Sequence, residues 1–138
     1  MITAVDTSVL LDVFFDDPAY RARSLAALRT CLAGGPLVAC EVVWAEVRAV
    51  FDTDAAAESA LAAIPVGYSA LESRAAGRAG AAWRAYRRAG GPRDRVIADF
   101  LIGAHAVEQA DRLLTRDRGF HRAAFGGLAI VDPAATAG

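Results

Sequence analysis

Short apolar runs bounded by turn residues alternate along this chain with longer stretches in which apolar positions recur every three or four residues. That is the pattern of strands followed by helices. The run Ile2–Val5 leads through Asp6 into a helix expected over Ser8–Phe14, and the hydroxyls of Thr7 and Ser8 are placed to accept hydrogen bonds from its first free N–H groups. Pro18 suits the first turn of a second helix reaching Leu32, with Leu25, Leu28 and Leu32 along one face. Gly34-Gly35-Pro36 breaks it, and Leu37–Ala39 reads as a second strand.

Glu41–Phe51 carries Val42, Val43, Trp44, Val47, Val50 and Phe51, apolar on most sides, and is expected to be a buried helix. Asp54 is the expected cap of a helix over Ala55–Ala63, followed by a third strand at Val66–Tyr68. An Ala-rich helix over Ala70–Ala89 ends at Gly90-Gly91-Pro92, and Val96, Ile97, Phe100, Leu101, Ala104 and Val107 predict another from Asp94 to Gln109. Arg112–Thr115 and Leu128–Val131 are the last strands. The order, βααβααβααβ or close to it, favours an α/β fold with a mainly parallel sheet and helices on both faces.

A length of 138 residues is that of a single domain. With 55% hydrophobic and 22% charged residues, the composition is that of a globular chain. No apolar run approaches the ~20 residues that cross a bilayer, so a cytoplasmic address is expected. Cys31 and Cys40 fit no zinc or redox spacing and read as buried apolar residues. All fifteen basic residues are Arg, and the net charge of −1 argues against indiscriminate nucleic-acid coating while allowing a basic rim around an acidic centre.

Four acids stand where chemistry can occur. Asp6 ends the first strand, and ligands of open α/β sheets gather at the carboxyl ends of strands. Glu46 falls within the helix expected to be buried, where a charge must be paired, protonated or bound to a metal. Arg48, two positions on, points to another face and cannot pair with it within the helix. Asp99 is followed one and two turns later by Gly103 and Ala106, which leave room for a ligand or a close neighbour. Asp117 follows a strand as Asp6 does, with Thr115 at the strand end. Each has a plainer account: a turn Asp, a salt-bridged Glu, an Asp favoured near a helix N-terminus.

Should the four converge, two carboxylates about 5 Å apart repel by roughly 3 kcal/mol at an effective dielectric of about 20. Such a cluster needs cations or takes up protons. Oxygen ligands without Cys or His at ligand spacing favour Mg²⁺ or Mn²⁺. Arg93, Arg95, Arg116 and Arg118 flank two of these acids and are candidates for phosphate contacts, or else a solvated face. His105 and His121 read as satisfied structural residues, and Trp44 and Trp83 as packing or interface residues.

Asp6-Thr7-Ser8, Val42-Val43-Trp44-Ala45-Glu46-Val47, Asp99-Phe100-Leu101-Ile102-Gly103-Ala104-His105-Ala106 and Leu113-Leu114-Thr115-Arg116-Asp117-Arg118-Gly119-Phe120 resemble, in order and spacing, the four acidic blocks of the PIN-domain ribonucleases. The resemblance runs from Ile2 to Val131, and the small size is similar to that of VapC toxins of VapBC toxin–antitoxin pairs. It implies a three-layer α/β/α domain with a central sheet of four or five strands. It also implies a Mg²⁺- or Mn²⁺-dependent endoribonuclease acting on RNA, held inactive by a cognate antitoxin and commonly a homodimer.

On that reading Asp6, Glu46, Asp99 and Asp117 hold the metal, while Ser8 and Thr115 orient a carboxylate or a metal-bound water. The helices Ser8–Phe14, Pro18–Leu32 and Ala55–Ala63 are expected to form a groove for an antitoxin segment. Two alternatives stand beside it. A haloacid-dehalogenase-type phosphatase needs a second Asp two residues after the first, where Ser8 stands. A non-catalytic module could also retain an acidic pocket.

Overall fold

In the computed structural model, which describes residues 1–134, five short strands form one sheet. They are β1 (Thr3–Val5), β2 (Leu37–Ala39), β3 (Val66–Tyr68), β4 (Arg112–Leu114) and β5 (Ile130–Val131). Their order is β3-β2-β1-β4-β5, with every neighbouring pair parallel. The helices of the described residues are α1 (Thr7–Phe14), α2 (Arg21–Ala33), α3 (Glu41–Val50), α4 (Asp54–Ala62), α5 (Ser73–Arg88), α6 (Ile97–Gln109) and α7 (Arg118–Ala124). The chain steps outward from β1 to β2 and β3, then returns to lay β4 on the other side of β1. That reversal opens a crevice at the carboxyl ends of β1 and β4.

Central position explains why β1 is buried throughout. Val5, Val9, Leu10, Leu28, Leu37, Val43, Val47, Leu113 and Leu114 pack around it in the main core. Each such side chain stabilises the fold by about 1.5–3 kcal/mol on burial. A second cluster joins Ala79, Phe100, Ala104, Phe120 and Phe125, with Trp83 and Tyr86 against it. Here the small faces of α5 and α6 meet, and Phe120 of α7 lies edge-on to Phe100 with centroids 5.1 Å apart.

Several boundaries differ from the sequence expectation, each because a side chain captures backbone groups. Asp17 Oδ1 accepts from Ala19 N and Tyr20 N, holding Pro18–Tyr20 as a turn, so α2 starts at Arg21. Its buried face is Ser24, Ala27, Leu28 and Cys31, and Leu32 is exposed. Thr53, not Asp54, caps α4 by accepting from Ala56 N. Glu41 accepts from Leu71 N and Gln109 from Glu72 N, which delays α5 to Ser73. Val96 and Ile97 are exposed rather than part of the α6 stripe, and α6 begins at Ile97. Helix α7 was not foreseen. Both cysteines are free and buried, as expected. No helix of the described residues is long and apolar enough to cross a membrane.

The largest correction concerns α3. Only Val43 and Val47 of this helix are buried, and Glu46 is on its exposed face. Trp44 lies at the flank, donating its indole N–H to Ala39 O, and Val50 is 49% exposed. A helix lying across one edge of a three-layer fold meets the sheet on a single stripe, so its apolar content overstated its burial.

Candidate active site at the crossover of β1 and β4

Asp6 leaves β1 in extended conformation and caps α1 with its own side chain, Oδ1 accepting from Thr7 N at 2.7 Å. The cap is therefore Asp6 itself and not the hydroxyls of Thr7 and Ser8. Its other oxygen, Oδ2, accepts from Thr115 Oγ1 at 2.7 Å and lies 3.7 Å from His121 Nε2. Burial pushes this carboxyl up, but the donors of His121, Thr115 and Thr7 outweigh it and hold Asp6 below its ordinary range. Asp6 is thus kept ionised in a nearly closed site.

Two threonines extend the site. Thr7 Oγ1 donates to Glu46 Oε1 at 2.7 Å, drawing Glu46 across from α3. Fully buried Thr115, just past β4, donates to Asp6 and accepts from Asp117 N at 2.9 Å. Glu46, Asp6 and Asp117 are consequently joined in one series through Thr7 and Thr115. Asp99 stands in the first turn of α6, where its Oδ2 accepts from Val96 N at 3.2 Å. Arg95 forks onto both oxygens of Asp117, which raises its proton affinity against the cost of burial, whereas among the described residues no hydrogen bond joins Asp99 to the series of Glu46, Asp6 and Asp117.

Other expectations fall differently. The Ser8 hydroxyl bonds none of the four carboxylates and lines a separate cleft with Asp12 and Arg116. The space left by Gly103 holds a neighbour: a Cβ there would stand 2.7 Å from Phe125 Cδ2 and 2.9 Å from His121 Nδ1. Arg116 pairs at 3.0 Å with Asp12 and lies over the Tyr20 ring at 4.0 Å. Arg118 is 3.8 Å from Asp132, and Arg93 lines a surface cleft with Trp83 and Tyr86.

Three residues escaped the sequence reading. His121, set aside there as structural, is buried against Asp6 with its Nδ1 unpartnered. Thr7 reads in the sequence only as a cap, yet it binds Glu46. Asp12, 2% exposed, accepts from Ser24 Oγ at 2.6 Å and from Arg116. Its position on an apolar helix facing inward was the signal available, since an Asp there must be paired.

A divalent cation suits this donor set by chemistry. The acids offer hard oxygens, and among the described residues no Arg pairs with Asp6, which is held charged by hydrogen bonds. Among the described residues no three His, Cys, Asp or Glu side chains stand together at ligating distance. Thr7 donates to one oxygen of Glu46 and holds it at the crevice, whereas Arg95 takes both oxygens of Asp117, a pair that would have to open for Asp117 to hold an ion with both.

The PIN domain sequence profile matches residues 3–126. The chain belongs to the PIN domain family. No curated protein sequence matches it significantly. Among solved structures it is similar to VapBC2 from Rickettsia felis, bound to a DNA fragment from the promoter, at 17% identity and a TM-score of 0.76, covering 96% of this chain and 98% of that one. A toxin–antitoxin complex from Klebsiella pneumoniae aligns at 21% identity and 0.67, covering 95% and 97%. VapC20 of Mycobacterium tuberculosis, described as a Sarcin-Ricin loop cleaving toxin, aligns at 17% identity and 0.62, covering 95% and 99%. At these identities the likeness is one of fold, and it agrees with the five-stranded parallel sheet.

Proposed function

We propose that this chain is a divalent-metal-dependent endoribonuclease and the toxin of a toxin–antitoxin pair. The observation that carries the reading is the series Glu46–Thr7–Asp6–Thr115–Asp117 at the switch point of the sheet, with Asp6 kept ionised. Asp6, Glu46, Asp99 and Asp117 would hold Mg²⁺ or Mn²⁺, which when bound supplies an acidified water and charge neutralisation for phosphodiester hydrolysis. Thr115 orients Asp6 from behind and fixes the backbone of Asp117. His121 lies buried 3.7 Å from the same carboxylate. Arg93 and Arg118 would contact RNA phosphates.

The toxin assignment draws on the antitoxin complexes among the similar folds. It also draws on an apolar cleft of about 370 Å³ lined by Leu11, Phe15, Pro18 and Val50, of which Phe15 is 46% exposed. Helices α1 and α3 form that cleft, and neither α2 nor α4 lines it. An amphipathic segment of a partner fits such a surface by its apolar face. Homodimer formation and a cytoplasmic location are part of this reading.

The test is cleavage of single-stranded RNA by the purified chain with Mg²⁺, with EDTA, and by Asp6→Asn after its thermal melt shows a folded protein. Cleavage lost in both EDTA and Asp6→Asn supports the reading. Full cleavage by Asp6→Asn removes Asp6 from the site.

A further inference from the structure

The loop from α5 to α6 holds Arg95 in a defined place. Gly90 takes a left-handed φ of 77°, and a Cβ on Gly91 would stand 2.5 Å from Tyr86 Cζ, so both glycines are required for the chain to turn back over Tyr86. Tyr86 then donates its hydroxyl to Pro92 O, and Val96 N donates to Asp99. Between these two anchors the Arg95 guanidinium lies 4.3 Å from the centroid of the Phe120 ring. It uses Nη1 and Nη2 to bond the two oxygens of Asp117. The side chain is 28% exposed, and a planar fork matched to a carboxylate in such a partly closed place is a strong charge-assisted pair.

We infer that Arg95 is a gate on the acidic crevice: its guanidinium and a divalent cation compete for Asp117, so the loop over Tyr86 sets how tightly the protein takes up its metal. This rests on the proposed reading of the crevice as a cation site. Two effects act in the same direction. Asp117 cannot offer both oxygens to a metal while it is forked by Arg95, and a positive charge left beside an incoming divalent ion repels it. The Phe120 face favours the guanidinium in its present place, which adds to what an ion must overcome.

The experiment is a Mn²⁺ titration read by the electron paramagnetic resonance signal of free Mn²⁺, on the wild-type chain, Arg95→Gln, Arg95→Lys, Asp117→Asn and the double variant Arg95→Gln/Asp117→Asn. Arg95→Gln is expected to bind Mn²⁺ about tenfold more tightly than wild type, equivalent to about 1.4 kcal/mol. Arg95→Lys, which keeps the charge but cannot fork, falls between them and covers the case in which Gln loosens the loop. On the Asp117→Asn background the Arg95→Gln effect shrinks to the part due to charge repulsion, because the contested ligand is gone. Equal or weaker binding by both Arg95 variants overturns the gate while leaving the cation site standing. If none of the proteins binds Mn²⁺, the cation site fails and the gate with it.

Discussion

Thr115 Oγ1 donates to Asp6 Oδ2 at 2.7 Å and the same oxygen accepts from Asp117 N at 2.9 Å, so one buried hydroxyl ties together the two acids that follow adjacent strands. Replacing it with Val keeps the shape and removes both bonds. Thr115→Val should lower stability in urea by about 1–3 kcal/mol, since a buried backbone N–H and a carboxylate each lose a partner. Metal-dependent cleavage should fall further than the loss of folded protein explains. Thr115→Ser should retain both, and an unchanged Thr115→Val would show that the acids are positioned by other contacts.

Gly103→Ala tests the packing behind Asp6. Its Cβ would press on Phe125 and on His121 Nδ1, and overpacking of this kind costs about 1–3 kcal/mol. Because His121, beside Asp6, is one of the two groups it presses on, activity should drop in this variant while Gly77→Ala, where a Cβ meets nothing within 4 Å, leaves it unchanged. Chemical-denaturation curves and cleavage rates for the pair decide the point.

Arg116 separates structural from RNA-binding roles. Its removal leaves Asp12, 2% exposed, with Ser24 as its remaining donor. Arg116→Ala should therefore destabilise by about 3 kcal/mol, as breaking a largely buried pair does. Arg118→Ala, which breaks a looser 3.8 Å contact, should cost less than about 1 kcal/mol. Similar melting temperatures for the two variants would contradict this.

Much of the architecture could be read from residue patterns, because short apolar runs and turn residues mark each parallel strand independently. The positions of all five strands and of six helices follow from them within a few residues. Helix α7 was missed because Arg118–Ala124 has a Gly at its second position and no capping bond from Asp117, so its stability comes from Phe120 and His121 packing inward. Glu46 was singled out for a reason that does not hold, burial, yet it reaches the crevice through Thr7. That contact joins residues 39 apart in sequence, and periodicity carries no information about such pairings. The same holds for His121, whose approach to Asp6 joins residues far apart in sequence.

Stability should fall with acid in two windows. Burial holds His105 below its ordinary 6.5, only partly offset by Glu41 and Glu72, so the unfolded chain binds this proton more readily. The stability it contributes is present above 6.5 and is lost as pH falls below that value. Asp6 is also depressed, so its contribution is present above 3.8 and is lost as pH falls further towards the folded value. Urea unfolding at pH 7.5 and 5.5 should show a decrease for wild type, and a smaller one for His105→Gln. An equal decrease in the variant would assign the first window to another group.

Calorimetric titration with Mn²⁺ measures directly whether carboxylates from separate strands and helices serve one cation. Wild type should bind, and Asp6→Asn, Glu46→Gln, Asp99→Asn and Asp117→Asn, each folded, should bind about tenfold or more weakly, the loss expected when a charged ligand is removed. Binding by Asp6→Asn as tight as that of wild type, or no binding by wild type, would contradict a shared cation site.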